Sequence, residues 1–363
     1  MIFYKTSSFG NDFIEIDESD LPAQTADKCL LAREICDAHR AVGADGVVFY
    51  SSCRKADIPL GDSPCCKAGI PSGDRPCCKA GIPLGDRGLE FNFQIHNRDG
   101  GEAELSGNGM AGLAAVLFQR RLASSPLLLQ TRSGPRHVAL LGRDGPVFQL
   151  EVEIGRADFS NREFFPFLKG KQECYAGVGL EFFPVSVGNP HAVILCRDWT
   201  DSKRLAALGK KLENHPMFPG RVNVEFVYFS AAEHPPEGTG ALRHPSPTKG
   251  TGALRHPSPT KGTGALRHPS PLDGTAALRP ASPTKGTGAL RHPSCRVFFY
   301  ERGVGPTLAS STGSAAVFAV LRRLGLVKDR LLIDCGADKI AVTWKQGIFI
   351  HNFTRLVCRG NYF

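Results

Sequence analysis

Two segments of this 363-residue chain look alike: L-S-G-N-G-M-A-G at 105–112 and A-S-S-T-G-S-A-A at 309–316, each running straight into an apolar, helix-like stretch. In both, a serine (Ser106, Ser310) precedes small residues and then a helix, where it can cap N–H groups that have no intrahelical acceptor. Small residues leave those groups open to an anion, and a helix N-terminus favours negative charge. The repeated pattern predicts a duplicated architecture. Two such points facing each other make a carboxylate pocket with a reactive side chain on either side.

Two other regions are periodic on a shorter scale. One twelve-residue unit occurs three times over 53–88, and another, G-T-G-A-L-R-H-P-S-P-T-K, occurs four times from 238 to 285 and is truncated at 286–295. Stackable repeats need about 20 residues or more. These units are shorter, rich in Pro and Gly and nearly free of aromatics, so they read as disordered or polyproline-like inserts. The first separates the strand-like runs at 47–52 and 89–97, and the second those at 224–229 and 296–302. Each insert is therefore expected at a hairpin tip, where loop-closure cost grows only logarithmically with length.

The inserts also explain the bulk charge. Of the formal +9, the tracts carry +2 and +7, which leaves the rest of the chain neutral. No basic face remains for nucleic acid. Five of the twelve cysteines (Cys53, Cys65, Cys66, Cys77, Cys78) belong to the first tract, whose C-C pairs lack the spacing and the histidines of a zinc site. Cys29, Cys36, Cys174, Cys196, Cys335 and Cys358 read as reduced core residues. The histidines of the second tract recur at twelve-residue spacing, which fixes no coordination geometry, and no metal is expected. The N-terminus lacks a secretory pattern and no run of 18 apolar residues occurs, which points to a soluble cytoplasmic protein without membrane partners.

The periodicities predict a strand and hairpin over 1–17, a helix over 25–39 capped by Thr25, a central helix over 107–122, and strands at 126–131, 136–141 and 147–153. The second half repeats the plan. It has strands near 183–195, a helix near 201–213, strands at 222–229 and 296–302, a central helix at 312–324, and strands at 331–334, 339–344 and 348–351.

Six blocks occur in a telling order: F-G-N-D-F-I-E-I-D (9–17), G-A-D-G (43–46), H-N-R-D-G-G-E-A-E-L-S-G-N-G (96–109), V-S-V-G-N-P-H (185–191), F-P-G-R-V-N-V-E-F (218–226) and Y-E-R-G-V-G-P-T-L-A-S-S-T-G-S (300–314). Any one alone reads as a turn, a cap or a surface ion pair. Together they resemble the diaminopimelate epimerase family over nearly the whole chain outside the tracts. The resemblance implies an α+β fold of two pseudo-symmetric lobes, each a curled, mostly antiparallel sheet around a central helix. The N-terminal lobe would span 1–153 with the C-terminal strand 354–363 and insert 53–88, and the C-terminal lobe 154–353 with insert 238–295.

It further implies a cofactor-independent isomerase that inverts an amino acid bearing a distal carboxylate, converting LL- to meso-diaminopimelate in lysine and cell-wall precursor synthesis. One group would take the α-proton and another return it from the opposite face. The family uses cysteines there; this chain has Ser106 and Ser310. By the same resemblance Asn11, Asn97, Asn189, Asn223, Glu301 and Arg302 grip the substrate, and backbone N–H groups of Gly107, Asn108, Ser311 and Thr312 hold its α-carboxylate. Gly46 and Ser311 depart from the family's usual Gln and Gly. A serine alcohol is too weakly acidic to stand as a base near pH 7 without a partner. His191 is the one histidine in a matched block able to supply one, for one side at most. Two alternatives stand beside epimerisation: an amino-acid-binding homologue with impaired catalysis, and altered chemistry such as an amino-acid dehydratase. The partner is a small amino acid, and the reading allows a homodimer.

Overall fold

A computed structural model describes residues 1–22, 27–53, 90–168, 175–177, 180–197, 199, 201–229, 293–336 and 338–363. The conformation expected for most of the two tracts, and the readings of Thr25 and Cys174, fall outside these residues.

The first half runs β1 (Ile2–Ser8), β2 (Asn11–Asp17), α1 (Lys28–Ile35), β3 (Gly46–Cys53), β4 (Glu90–Asn97), β5 (Glu102–Ala103), α2 (Gly107–Gln119), β6 (Leu127–Thr131), β7 (Gly134–Asp144) and β8 (Val147–Gly155). After β9 (Tyr175–Gly177), the second half runs β10 (Leu180–Ser186), β11 (Pro190–Cys196), α3 (Ser202–Glu213), β12 (Asn223–Tyr228), β13 (Ser294–Glu301), β14 (Gly305–Thr307), α4 (Ser311–Arg323), β15 (Arg330–Asp334), β16 (Lys339–Trp344) and β17 (Ile348–Asn361).

The pairing repeats strand for strand. In the first half β1–β2 is antiparallel, β2–β3 parallel, β3–β4 antiparallel, β4–β6 parallel, and β6–β7 and β7–β8 antiparallel. The same sequence of senses joins β10–β11, β11–β12, β12–β13, β13–β15, β15–β16 and β16–β17. The fold is therefore α+β with two pseudo-symmetric, mostly antiparallel halves, each curled around its helix. β17 closes the first half into an eight-stranded barrel, because its early residues pair with β8 and its late residues with β1. Closure removes the free sheet edges.

α2 is buried from Gly107 to Leu117 and α4 from Ser311 to Leu321. A helix apolar on all sides belongs inside. Both helices share one large core with the strands around them, while α3 and α1 cover smaller clusters on the outside.

Local chemistry shifts several expected boundaries. Asp27 caps α1 by accepting from the Cys29 and Leu30 N–H groups. The helix stops at Ile35, well short of 39, because the Asp37 carboxylate accepts from the His39 and Arg40 N–H groups and turns the chain. The strands expected at 348–351 and 354–363 are one continuous strand, β17. Cys53 belongs to β3, where it pairs with Glu90, and Ser294 and Cys295 belong to β13, where they pair with β15, so the first insert begins and the second ends inside a strand. Cys358, expected inside, is exposed, because pairing with β8 ends at Arg355 and beyond it the strand pairs only with β1. No helix among the described residues is long and apolar enough to cross a membrane.

Candidate active site

Each look-alike segment is a capped helix start. The Ser106 Oγ accepts from Gly109 N and the Ser310 Oγ from Gly313 N, both at 3.1 Å. Caps of this kind leave the first two N–H groups of each helix, on Gly107 and Asn108 and on Ser311 and Thr312, without intrahelical acceptors. The two starts touch: a methyl group added at Gly107 would overlap the Ser311 Cβ. Two positive helix ends thus converge on one point, where a carboxylate is favoured.

That point is a narrow polar cavity of about 30 Å³, and all twelve residues expected from the sequence line it. Asn11 and Asn97 tie the two halves together around it, and Asn189 and Asn223 brace the second half. Asn11 Nδ2 donates to Glu301 Oε1 at 3.4 Å and Asn97 Nδ2 to the Arg302 carbonyl at 3.0 Å. The Arg302 N–H donates to Asn223 Oδ1 at 2.9 Å, and Asn223 Nδ2 to the Pro190 carbonyl at 2.9 Å. Asn189 Nδ2 donates to Thr312 Oγ1 at 3.4 Å.

Among the described residues neither serine hydroxyl hydrogen-bonds to a base. The Ser310 Oγ lies 3.5 Å from Thr312 Oγ1, a hydroxyl. His191, the histidine expected to be able to reach the pocket, is fully buried, with Nδ1 2.7 Å from Glu225 Oε1 and Nε2 2.9 Å from Asn189 Oδ1. Both ring nitrogens are engaged, and neither with a serine.

Two carboxyl groups at the cavity are pushed up. Burial raises Glu301 to about 7, against the opposing pull of hydrogen bonds from Thr307 and Asn11. Burial likewise raises Asp45, whose Oδ2 accepts from Asp12 N at 3.1 Å. Asp45 lines the cavity from within the G-A-D-G block, although the sequence did not single it out. A second unforeseen residue is Glu104, which forms an ion pair with the Arg302 Nη2. Its place two residues before Ser106 was the available signal, but its partner lies 198 residues away. Arg302 Nη1 also donates to the Gly220 carbonyl at 3.1 Å.

No protein-family profile matches the chain. Among curated proteins, it is 31% identical over 235 residues to the diaminopimelate epimerase of Methanothermobacter thermautotrophicus, covering 62% of this chain and 70% of that one. It is 29% identical over 245 residues to the diaminopimelate epimerase of Methanocaldococcus jannaschii, covering 62% and 72%. Among solved structures, a hydroxyproline epimerase from Agrobacterium vitis matches with a TM-score of 0.55 at 12% identity, over 99% of this chain and 91% of that one. At that identity the likeness speaks for the fold alone. On the strength of its curated relatives, this chain belongs to the diaminopimelate epimerase family, isomerases of the amino-acid racemase and epimerase type.

Proposed function

We propose that the chain binds a diaminopimelate-like amino acid with its α-carboxylate on the two helix N-termini and its α-carbon between Ser106 and Ser310. The observation that carries this reading is the convergence of both capped helix starts on one cavity. The N–H groups of Gly107, Asn108, Ser311 and Thr312 supply donors for the α-carboxylate. Arg302 offers a guanidinium fork for the distal carboxylate, which would take the place now held by Glu104. Glu301, when ionised, suits an ammonium group. Epimerisation then needs one serine to remove the α-proton and the other to return it, with no cofactor in the step.

The serines set the rate. Each Oγ is held by a helix N–H group and neither hydrogen-bonds to a base among the described residues, so its alkoxide is not available as a standing base near pH 7. Turnover is therefore slow, with each 1.36 kcal/mol of lost stabilisation costing about tenfold in rate. The test is α-proton exchange of diaminopimelate in D2O followed by NMR. The double variant Ser106→Cys with Ser310→Cys is expected to exchange several orders of magnitude faster than the native chain. A native chain that exchanges at an ordinary enzymatic rate overturns the acidity argument. Calorimetry showing no binding of diaminopimelate overturns the substrate assignment itself.

A further inference from the structure

The helix starts are joined by side chains that the reaction itself does not use. The Ser311 Oγ donates to Asn108 Oδ1 at 2.5 Å, linking the first turn of α4 to the first turn of α2 across 203 residues of sequence. The same oxygen accepts from Asn352 Nδ2 at 3.0 Å, from the middle of β17. Asn352 Oδ1 in turn accepts from Thr354 Oγ1 at 2.7 Å, and Thr354 Oγ1 lies 2.6 Å from the Ser8 Oγ on β1. Each of these residues is at most 3% exposed. Buried polar groups are retained at a cost unless every member is paired, and a fully paired chain rigidifies what it joins.

Three elements thus meet on one oxygen: the central helix of each half and the strand that closes the barrel. Space enforces the same junction, since the place where Gly107 would carry a side chain is filled by Ser311. A glycine at 311 would supply neither the hydroxyl nor the contact.

We infer that Ser311 and Asn352 are positioning residues, which clamp the two helix starts through Asn108 and so fix the separation at which Ser106 and Ser310 face the α-carbon. The inference rests on the proposed function for its kinetic consequence, but the clamp itself is measurable without turnover. Two-sided proton transfer depends on the distance between two groups carried by different halves. A displacement of about 1 Å is enough to cost roughly a hundredfold.

The mild variant is Ser311→Ala, because Asn352 still donates to the Asn108 oxygen and the fold retains a partner there. Asn352→Leu is the second variant and removes the other donor. Hydrogen exchange read by mass spectrometry on the full chain is expected to show lost protection at the Gly109 and Met110 amides, which bond to Ser106, in Ser311→Ala, although the change is on the other helix. In the native chain and in the Ser106→Cys, Ser310→Cys background, α-proton exchange of diaminopimelate at saturation should fall ~10–100-fold with either variant, while calorimetric affinity stays within about threefold. Unchanged protection of the α2 start overturns the clamp, whatever the kinetics. Affinity that falls as far as the exchange rate overturns the positioning role and makes these residues part of the binding site. Absence of diaminopimelate binding in the unsubstituted chain counts instead against the proposed function, and leaves the protection result to decide the clamp.

Discussion

Glu301 shows how a single residue ties the site to the solvent. Its carboxyl is raised to about 7 chiefly by burial, so between the ordinary carboxylate range and that pH the folded chain holds a proton that the unfolded chain has lost. The native state then binds more protons than the unfolded one, and this group makes the fold less stable as pH rises through that window. Glu301→Gln is expected to flatten the fall in thermal midpoint between about pH 5 and 7 relative to the native chain. Parallel midpoint curves for the two proteins would show that Glu301 ionises freely. The sequence placed Glu301 and Arg302 in one block, yet the pairing of Arg302 with Glu104 and of Glu301 with Asn11 joins residues from opposite halves. No local pattern encodes such partners, because side chains that meet across a cavity leave no periodicity in either segment.

At the scale of elements, the two central helices were legible from their caps and their apolar length. Both begin at the residue after a serine whose hydroxyl accepts from the third helical N–H group. What the helices pack against was not legible. Gly112 on α2 faces two polar groups of the barrel wall: an added methyl would overlap Glu15 Oε1 and lie 2.5 Å from Thr6 Oγ1. These two side chains hydrogen-bond each other at 2.6 Å, and burial holds the Glu15 carboxyl well above its ordinary range. Neither can withdraw into an apolar wall without losing its partner. Gly112→Ala is therefore expected to cost about 1–3 kcal/mol, measured by urea unfolding. Gly220→Ala, where nothing lies within 4 Å of the added methyl, is the control and should leave the midpoint nearly unchanged.

For the whole molecule, both inserts join antiparallel strands whose register is already set by pairs such as Cys53 with Glu90 and Tyr228 with Arg296. Replacing the insert residues outside the strands, 54–88 and 238–292, by short turns is expected to leave a single cooperative thermal transition, checked by calorimetry. A broad, non-cooperative melt would assign the inserts a part in folding. By itself the sequence determined the duplication, the two capped helices, the alternation that makes the strands and the positions of the inserts, because each is written in neighbours a few residues apart. Only the tertiary structure decided that β17 is one strand closing the barrel and that Asn108 receives Ser311 and Asn352 on one oxygen. Only it showed that His191 is consumed by Glu225 and Asn189 and does not serve a serine. These outcomes depend on which of many compatible strands pair and on which side chains then share a buried space, and both are fixed by contacts tens to hundreds of residues apart, beyond the reach of local patterning.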